Sequence, residues 1–389
     1  MSRQFTRPRP TIAVPSVAPP EIADYDARNA SFTLALTIPG DTLLYLLLPL
    51  HHAVFGVSLT EAGLLLAANR LVRIAGYGWV ARFYAHRGPR AACLFAAIGS
   101  VLATFGYALL SGVWWLIIAR LIWGLSFAAM NIATQALATA EPAGASRRSG
   151  RMRAVIAAGS VGGLLGGAAV SQVAGPRVSF LVLAFAALLA IKFAVQLPDE
   201  GEGAVGRLSR PRFGLPSRLD TWSFIQGMTL DGLFVIGMSV LAAAAVPEYA
   251  ALAAGAALAL RYIAEILLGP AGGALAERYG ARHVLMLLSA ASAAGLAVIG
   301  AGLLWLGAVL VVMLRGLIQP LPAPVVAMEN PGRDRVPALA RLATWRDLGA
   351  GAGPLLAGAL LPILPHSLLY GGAAFLLAIS AAAVGTRRA

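Results

Sequence analysis

Charged side chains are scarce in this sequence: they make up 12% of its 389 residues, whereas a soluble globular domain carries about 25%. Apolar residues make up 59%, and the mean hydropathy is +0.77. A soluble chain with so few polar side chains has too little to cover its core. Because an apolar run of about 20 residues spans a bilayer, and this sequence has many such runs, we predict an integral membrane protein.

Cysteine and lysine are almost absent. Cys93 is the only cysteine, so an internal disulfide is excluded and the lone thiol carries no metal or redox signal. Lys192 is the only lysine, and the other 29 basic residues are arginines. These arginines are dispersed over many short segments, which argues against nucleic acid as a partner although the net charge is +13.

The apolar segments number twelve and predict an all-α membrane protein of twelve transmembrane helices. They cover residues 31–51, 58–82, 90–111, 113–138, 151–174, 178–197, 221–246, 249–275, 283–303, 304–327, 339–364 and 366–386.

A polar loop, residues 198–220, divides the segments into two six-helix bundles, residues 31–197 and 221–386. Residues 1–30 contain prolines and charges but no apolar core. We therefore predict a disordered cytoplasmic tail there rather than a signal peptide.

The basic residues predict the orientation, because short loops that carry Lys and Arg face the cytoplasm. With the N-terminus inside, the inside segments hold 22 basic residues, the outside segments hold one, Arg177, and the predicted helices hold seven. Both termini are therefore predicted to be cytoplasmic. The Ala-, Gly- and Arg-rich composition suggests a bacterial inner membrane.

The two halves repeat four features in the same order, which indicates two homologous bundles. Each half has a carboxylate in its first helix, an arginine in its second, an arginine in its fourth and a glycine-rich run in its fifth. The corresponding residues are Asp41 and Asp231, Arg70 and Arg261, and Arg120 and Arg315. The glycine-rich runs are "GSVGGLLGGAA" and "GAGAGPLLAGA".

With this repeat, residues 31–386 resemble the major facilitator superfamily of secondary transporters. The best local match is the segment "GGALAERYGAR" between the eighth and ninth helices, which fits the family's loop signature. Its matching residues are Gly273, Glu277, Arg278, Gly280 and Arg282. The copy in the first half, "GWVARFYAHRGPR", lacks the carboxylate. The resemblance implies a pseudo-symmetric fold and a cytoplasmic latch at this loop, which we expect Arg346 and Asp347 to join.

The segment in the eleventh helix resembles the Gly-Pro signature of the family's antiporter branch. Its residues are Gly349, Gly353, Pro354 and Gly358. Such spacing also lets helix backbones approach closely, so helix packing alone remains an alternative to a role in export.

Arginines within the predicted helices need a partner or water, because a charge in mid-bilayer costs several kcal/mol. At about 1.5 Å per residue, Arg70 lies at a depth similar to that of Asp41. We therefore predict that Asp41 pairs with Arg70 or Arg73. Asn69, Arg70, Arg73 and Tyr77 are expected to face the cavity, since the last three are spaced i, i+3 and i+7.

In the second half, the same reasoning pairs Asp231 with Arg261. The i, i+4 spacing of Arg261 and Glu265 also allows a pair within one helix. We take Asp41 and Asp231 as candidate proton carriers, with Glu265 as the next.

Arg120 and Gly124, in "ARLIWGLSFAAMN", match the signature of the fourth helix in the family. The resemblance links that arginine with proton coupling, although a structural hydrogen bond to backbone carbonyls is the alternative. Arg315 is its counterpart. The polar residues that line the pathway or bridge helices are Asn131, Gln135, Gln226 and Gln319.

The excess of arginine over carboxylate in the helices favours an anionic or zwitterionic solute, since the guanidinium fork suits carboxylate and phosphate. The leading hypothesis is a proton-coupled exporter, an antiporter that acts by alternating access. The proton gradient supplies the energy, no cofactor is expected, and the protein is expected to act as a monomer in the bilayer. An importer or uniporter of an organic anion is the alternative.

A non-transporting receptor or a membrane enzyme is a more distant alternative. The sequence shows no Ser-His-Asp set, no metal-ligand spacing and no phosphate-binding loop. We therefore predict neither an enzyme nor a metal site.

Overall fold

The structure, a computed structural model, describes residues 20–199, 216–235 and 250–385. Within these ranges the chain is helical and forms no strand, which confirms the predicted all-α fold. Eight helices of the described part are long and apolar enough to cross a membrane. Their outward faces carry large exposed apolar side chains such as Leu102, Phe185 and Phe375, as expected where lipid is the solvent.

The N-terminal half contains six helical segments. They are α1 (Pro20–Leu50), α2 and α3 (the two parts of Leu59–Leu109), α4 (Val113–Ala138), α5 (Ala145–Ala174) and α6 (Pro176–Ala187 and Leu189–Val195). The backbone breaks between α2 and α3 at Gly88, which has a φ of 80° and is followed by Pro89. A positive φ favours glycine and proline suits the first turn of a helix, so these two residues make the turn that separates the two predicted helices.

The C-terminal half follows the same plan. Its segments are α7 (Arg218–Gln226, continued by a π-helical turn at Gly227–Leu233), α8 (Ala250–Tyr279), α9 (Ala281–Gly300), α10 (Leu304–Ile318, continued by Pro322–Glu329), α11 (Arg335–Leu360) and α12 (His366–Gly385). The central loop mostly lies outside the described residues.

The predicted tail ends earlier than expected. α1 begins at Pro20, so residues 20–30 are helical rather than disordered, while residues 1–19 lie outside the described part. Contacts with the rest of the N-terminal half hold this additional helical segment in place. Asp24 lies 3.4 Å from the Arg148 guanidinium, and the Tyr25 hydroxyl donates to Gln196 Oε1 over 2.8 Å.

Close glycine packing occurs at equivalent places in both halves. α1 packs on α5, and α7 packs on α11. A Cβ at Gly163 would lie 2.5 Å from Pro39 Cα, and one at Gly353 would lie 2.6 Å from Gly232 Cα. The glycine-rich runs therefore bring these helix pairs together, which supports the packing role considered from the sequence.

The halves meet mainly along two helix pairs, α2 with α11 and α5 with α8. These pairs are related by the twofold repeat. The arrangement leaves α1, α2, α5, α7, α8 and α11 around the middle of the molecule.

We predict that Gly163→Val lowers the thermal stability of the purified protein, because the added methyl groups meet the backbone of α1. Overpacking of this kind costs about 1–3 kcal/mol. Gly162→Val is the matched control: Gly162 is exposed and a Cβ there meets nothing within 4 Å. Unfolding in detergent, followed by tryptophan fluorescence, compares the two variants. Equal unfolding temperatures would contradict the packing assignment.

Candidate functional site

A cavity of about 730 Å³ lies between the halves and is lined by both. Among the described residues, the charged side chains on its wall are Asp41, Arg70, Arg73, Arg153, Asp231, Arg261, Arg346 and Asp347. The predicted polar residues that also line it are Tyr77, Asn131, Gln135, Gln226 and Gln319. The remaining predicted residues, Asn69, Arg120, Glu265 and Arg315, lie behind the wall, and three of them contact its carboxylates.

In the N-terminal half, Asp41 of α1 forms an ion pair with Arg120 of α4. The Arg120 side chain is fully buried and its Nε donates to Leu65 O over 3.0 Å. Asn69 Nδ2 donates to Asp41 Oδ1 over 3.3 Å. The predicted pairing of Asp41 with Arg70 or Arg73 is therefore wrong, because α4 packs against both α1 and α2 and its arginine reaches Asp41 instead.

The C-terminal half has an equivalent ion pair. Asp231 of α7 accepts from Arg315 Nε of α10 over 2.7 Å. A second arginine, Arg346 of α11, donates to the other oxygen over 3.0 Å and also to Gln319 Oε1 over 3.2 Å. The fourth helix of each half thus supplies the arginine for the carboxylate of the first.

Neither predicted pairing of Arg261 is present among the described residues. Glu265 instead lies 3.4 Å from Arg315 NH1 and 3.9 Å from Arg153 NH1. The Arg261 Nε is buried without an acceptor, and the guanidinium lies over the Tyr262 ring at 5.6 Å. The i, i+4 spacing was insufficient to predict the partner, because Glu265 faces α10 and α5 rather than its own helix.

Two ion pairs join the halves across the floor of the cavity. Arg73 Nε of α2 lies 2.9 Å from Asp347 Oδ2 of α11, and the Tyr77 hydroxyl donates to the same oxygen over 3.1 Å. The second pair is Arg153 of α5 with Glu265 of α8. In both pairs the N-terminal half supplies the cation and the C-terminal half supplies the carboxylate.

Two predictions of position were wrong. Arg346 and Asp347 were expected at the loop latch, but α11 begins at Arg335, so they lie about three turns inside the helix. Sequence reasoning counted Arg153 among the cytoplasmic basic residues, although the predicted fifth helix began at residue 151. α5 begins at Ala145, after Gly144 in the left-handed region, and the "EPAG" turn before it was the signal that could have shown this.

The loop signature does lie where the halves meet. Glu277 Oε1 accepts from the backbone N–H of Ser146 and Arg147, over 3.0 and 3.4 Å, at the N-terminus of α5. The helix dipole favours a negative charge there. Gly273 packs against the carbonyl of Ser146, where a Cβ has no room.

The other signature residues act within the C-terminal half. Gly280 has a φ of 88° and begins the turn into α9. Arg282 forms an ion pair with Glu329, and the Arg278 guanidinium lies over the Tyr279 ring at 5.2 Å.

Access to the cavity follows from where the halves touch. Arg335 NH1 also donates across the halves to the carbonyls of Thr139 and Ala140, over 3.3 and 3.2 Å. In the described ranges, every hydrogen bond and ion pair between the halves lies at cavity depth or toward the predicted cytoplasmic end. The described part therefore has its cavity closed toward the predicted cytoplasmic end.

Comparison with known proteins identifies this architecture. The sequence model of the Major Facilitator Superfamily matches residues 30–251, and a search of curated proteins found no match.

Solved structures that superpose include the human organic anion transporter MFSD10 (TETRAN), with a TM-score of 0.74, 18% identity, and coverage of 94% of this chain and 100% of that one. A bacterial homologue of the iron transporter ferroportin, in its outward-facing state, has a TM-score of 0.71, 14% identity, and coverage of 92% and 96%. The E. coli fucose:proton symporter FucP has a TM-score of 0.70, 14% identity, and coverage of 94% and 99%. At these identities the likeness shows the fold.

We predict that Arg120→Ala destabilises the protein strongly, because it leaves the buried Asp41 carboxylate without its cation. Breaking a buried ion pair from one side costs about 3–5 kcal/mol. The double variant Asp41→Asn with Arg120→Met, which removes both charges, should recover part of the loss. Arg333→Ala, at an exposed position, is the control. The result would contradict the pairing if Arg120→Ala and Arg333→Ala unfolded at the same temperature.

Proposed function

The chain belongs to the major facilitator superfamily and is a transporter rather than an enzyme, and we propose that it exports a small organic anion in exchange for protons. It is a multi-pass membrane protein, which we place in a bacterial inner membrane as a monomer with both termini cytoplasmic.

The observation that carries the proposal is the charge on the cavity wall. Among the described residues, five arginines and three aspartates line it. Each aspartate already has an arginine partner. Electrostatic complementarity selects a ligand of opposite sign, so the surplus guanidinium groups favour an anion.

The fold neighbours agree with this proposal to different degrees. The human neighbour is named as an organic anion transporter. The iron in the description of the bacterial neighbour fits this cavity poorly, because its wall is cationic and no group of three potential metal ligands occurs in the described ranges.

Alternating access requires that the floor contacts open, since both floor ion pairs and the latch join the halves. The ligand then leaves or enters from the other side. Glu265 is our first choice as proton carrier: its contacts of 3.4 and 3.9 Å are looser than those of Asp231. One of them reaches Arg153 of the other half. A proton on Glu265 therefore weakens a floor contact, which couples proton binding to opening.

The direction of transport rests on the Gly-Pro segment, which resembles that of antiporters. The alternative is import or uniport of an organic anion on the same fold.

Transport in proteoliposomes under an imposed pH gradient tests the proposal. We expect uptake of radiolabelled organic anions, such as lactate or succinate, and none of tetraphenylphosphonium or glucose. Inverting the gradient gives the direction. Transport of the cation without any anion would refute the proposal.

Within the same assay, Glu265→Gln should abolish stimulation by the pH gradient while anion exchange at equal pH persists. Glu21→Gln, at an exposed position outside the cavity, is the control and should behave as the parent protein. Full gradient stimulation in Glu265→Gln would exclude Glu265 as the proton carrier.

We predict that Asp347→Asn increases access to the cavity from the cytoplasmic side, because it removes the floor ion pair with Arg73. Cys93 is the only cysteine and is buried, so Cys93→Ala with Ala343→Cys gives one reporter thiol on the cavity wall. Maleimide should label this thiol faster in inverted vesicles of the Asp347→Asn variant. Asp334→Asn, at an exposed position, is the control, and equal labelling rates would refute a gating role.

A further inference from the structure

Arg70 is a cavity guanidinium without a carboxylate partner among the described residues. It belongs to α2 of the N-terminal half and lines the cavity. Its NH1 donates to the carbonyl of Ala350 over 2.5 Å, which fixes the side chain against α11. The Nε is buried and has no acceptor. One hydrogen bond to a neutral carbonyl leaves the positive charge uncompensated.

Arg261 has the equivalent place in the C-terminal half. It belongs to α8, lines the same cavity, and makes no hydrogen bond or ion pair within the ranges that the structure describes. Tyr262, beside it in the chain, supplies a ring face at 5.6 Å. A ring face stabilises a cation much less than a carboxylate does. The Nε of Arg261 has no acceptor within the described ranges, and the side chain lines the cavity, so its charge is available to a ligand there.

The carboxylates of the site are already paired with other arginines. Asp41 is bound by Arg120, Asp347 by Arg73, and Asp231 by both Arg315 and Arg346. Glu265 lies between Arg315 and Arg153. Within the described part of the chain, the two cavity arginines left without a carboxylate are Arg70 and Arg261, one from each half.

We propose that the transported solute is a dicarboxylate or a similar dianion, with one anionic group bound by Arg70 and the other by Arg261. This inference rests on the proposed function, which requires only an anion. A guanidinium binds a carboxylate through two parallel hydrogen bonds, and each of these side chains has free donors. The cavity of about 730 Å³ is of the size that holds small ligands.

A ligand with two anionic groups also has a mechanical consequence. Because Arg70 and Arg261 belong to opposite halves, such a ligand touches both halves at once. A monoanion held by one arginine leaves the other half without a ligand contact. The affinity for a ligand with two anionic groups therefore depends on the relative position of the halves. A transporter needs this dependence in order to change conformation only when its substrate is bound.

Binding to the purified protein in detergent tests the inference. Dicarboxylates of four to six carbons (succinate, glutarate and adipate) are compared with monocarboxylates of the same length by isothermal titration calorimetry. Inorganic phosphate serves as a compact anion. We expect at least one dicarboxylate to bind about tenfold or more tightly than its monocarboxylate partner, which corresponds to about 1.4 kcal/mol.

The variants Arg70→Gln and Arg261→Gln should each remove this preference, because each leaves one guanidinium to bind one carboxylate. Monocarboxylate affinity should change little in either variant, and the double variant should bind neither class. Since these arginines have no ion pair to break, both variants should unfold at or above the parent temperature, which separates lost binding from lost folding. Arg333→Gln is the control and should keep the full preference.

Two results would overturn the inference and leave the proposed function standing. One is a monocarboxylate or phosphate that binds as tightly as every dicarboxylate, with affinity lost in both variants; the site then takes a single anion and the proposed function stands. The other is a dicarboxylate preference that persists in both variants, which places the second anionic group elsewhere. If no anion binds and tetraphenylphosphonium does, both the inference and the proposed function fail.

Discussion

The cost of a charge in a medium that cannot solvate it organises this molecule. Arg120 and Arg315 are almost fully buried, and each is tolerable only because an aspartate of the same half lies against it. These two ion pairs fix α4 to α1 and α10 to α7. They also place Asp41 and Asp231 on the cavity wall. The interaction that stabilises each bundle therefore also contributes a charged residue to the central cavity.

The remaining charges of the site divide by function. Those that join the halves, Arg73 with Asp347 and Arg153 with Glu265, lie in contacts that must open. Arg70 and Arg261 have no carboxylate partner among the described residues and are left for the solute. A transporter needs both kinds, because contacts that hold the cavity closed on one side must be exchanged for contacts that form with the solute or a proton. The glycine faces of α5 and α11 contribute differently, because they let α5 pack closely on α1 and α11 pack closely on α7 within each bundle.

The sequence was sufficient to predict the membrane environment, the two bundles and most of the charged residues on the cavity wall. Hydropathy and loop charge carry that information because bilayer thickness sets helix length. The ion-pair partners were harder to predict, because the sequence indicates how deep a residue lies along its helix but not the direction in which its side chain points. Asp41 and Arg70 both line the cavity, yet Arg70 faces α11 and Asp41 faces Arg120. Arg153 was not predicted as a cavity residue, because polar residues begin α5 before its apolar run.

The charges that the two halves supply to these contacts are also unevenly distributed. Asp347, Glu265 and Glu277 all belong to the C-terminal half, and they meet Arg73, Arg153 and the N-terminus of α5 in the other. When the floor separates, it exposes one basic surface and one acidic surface, which continue to attract each other through water. Mobile ions screen that attraction once the surfaces are more than about 8 Å apart at physiological ionic strength. The salt concentration on the side that the floor faces therefore affects how long the form with a separated floor persists.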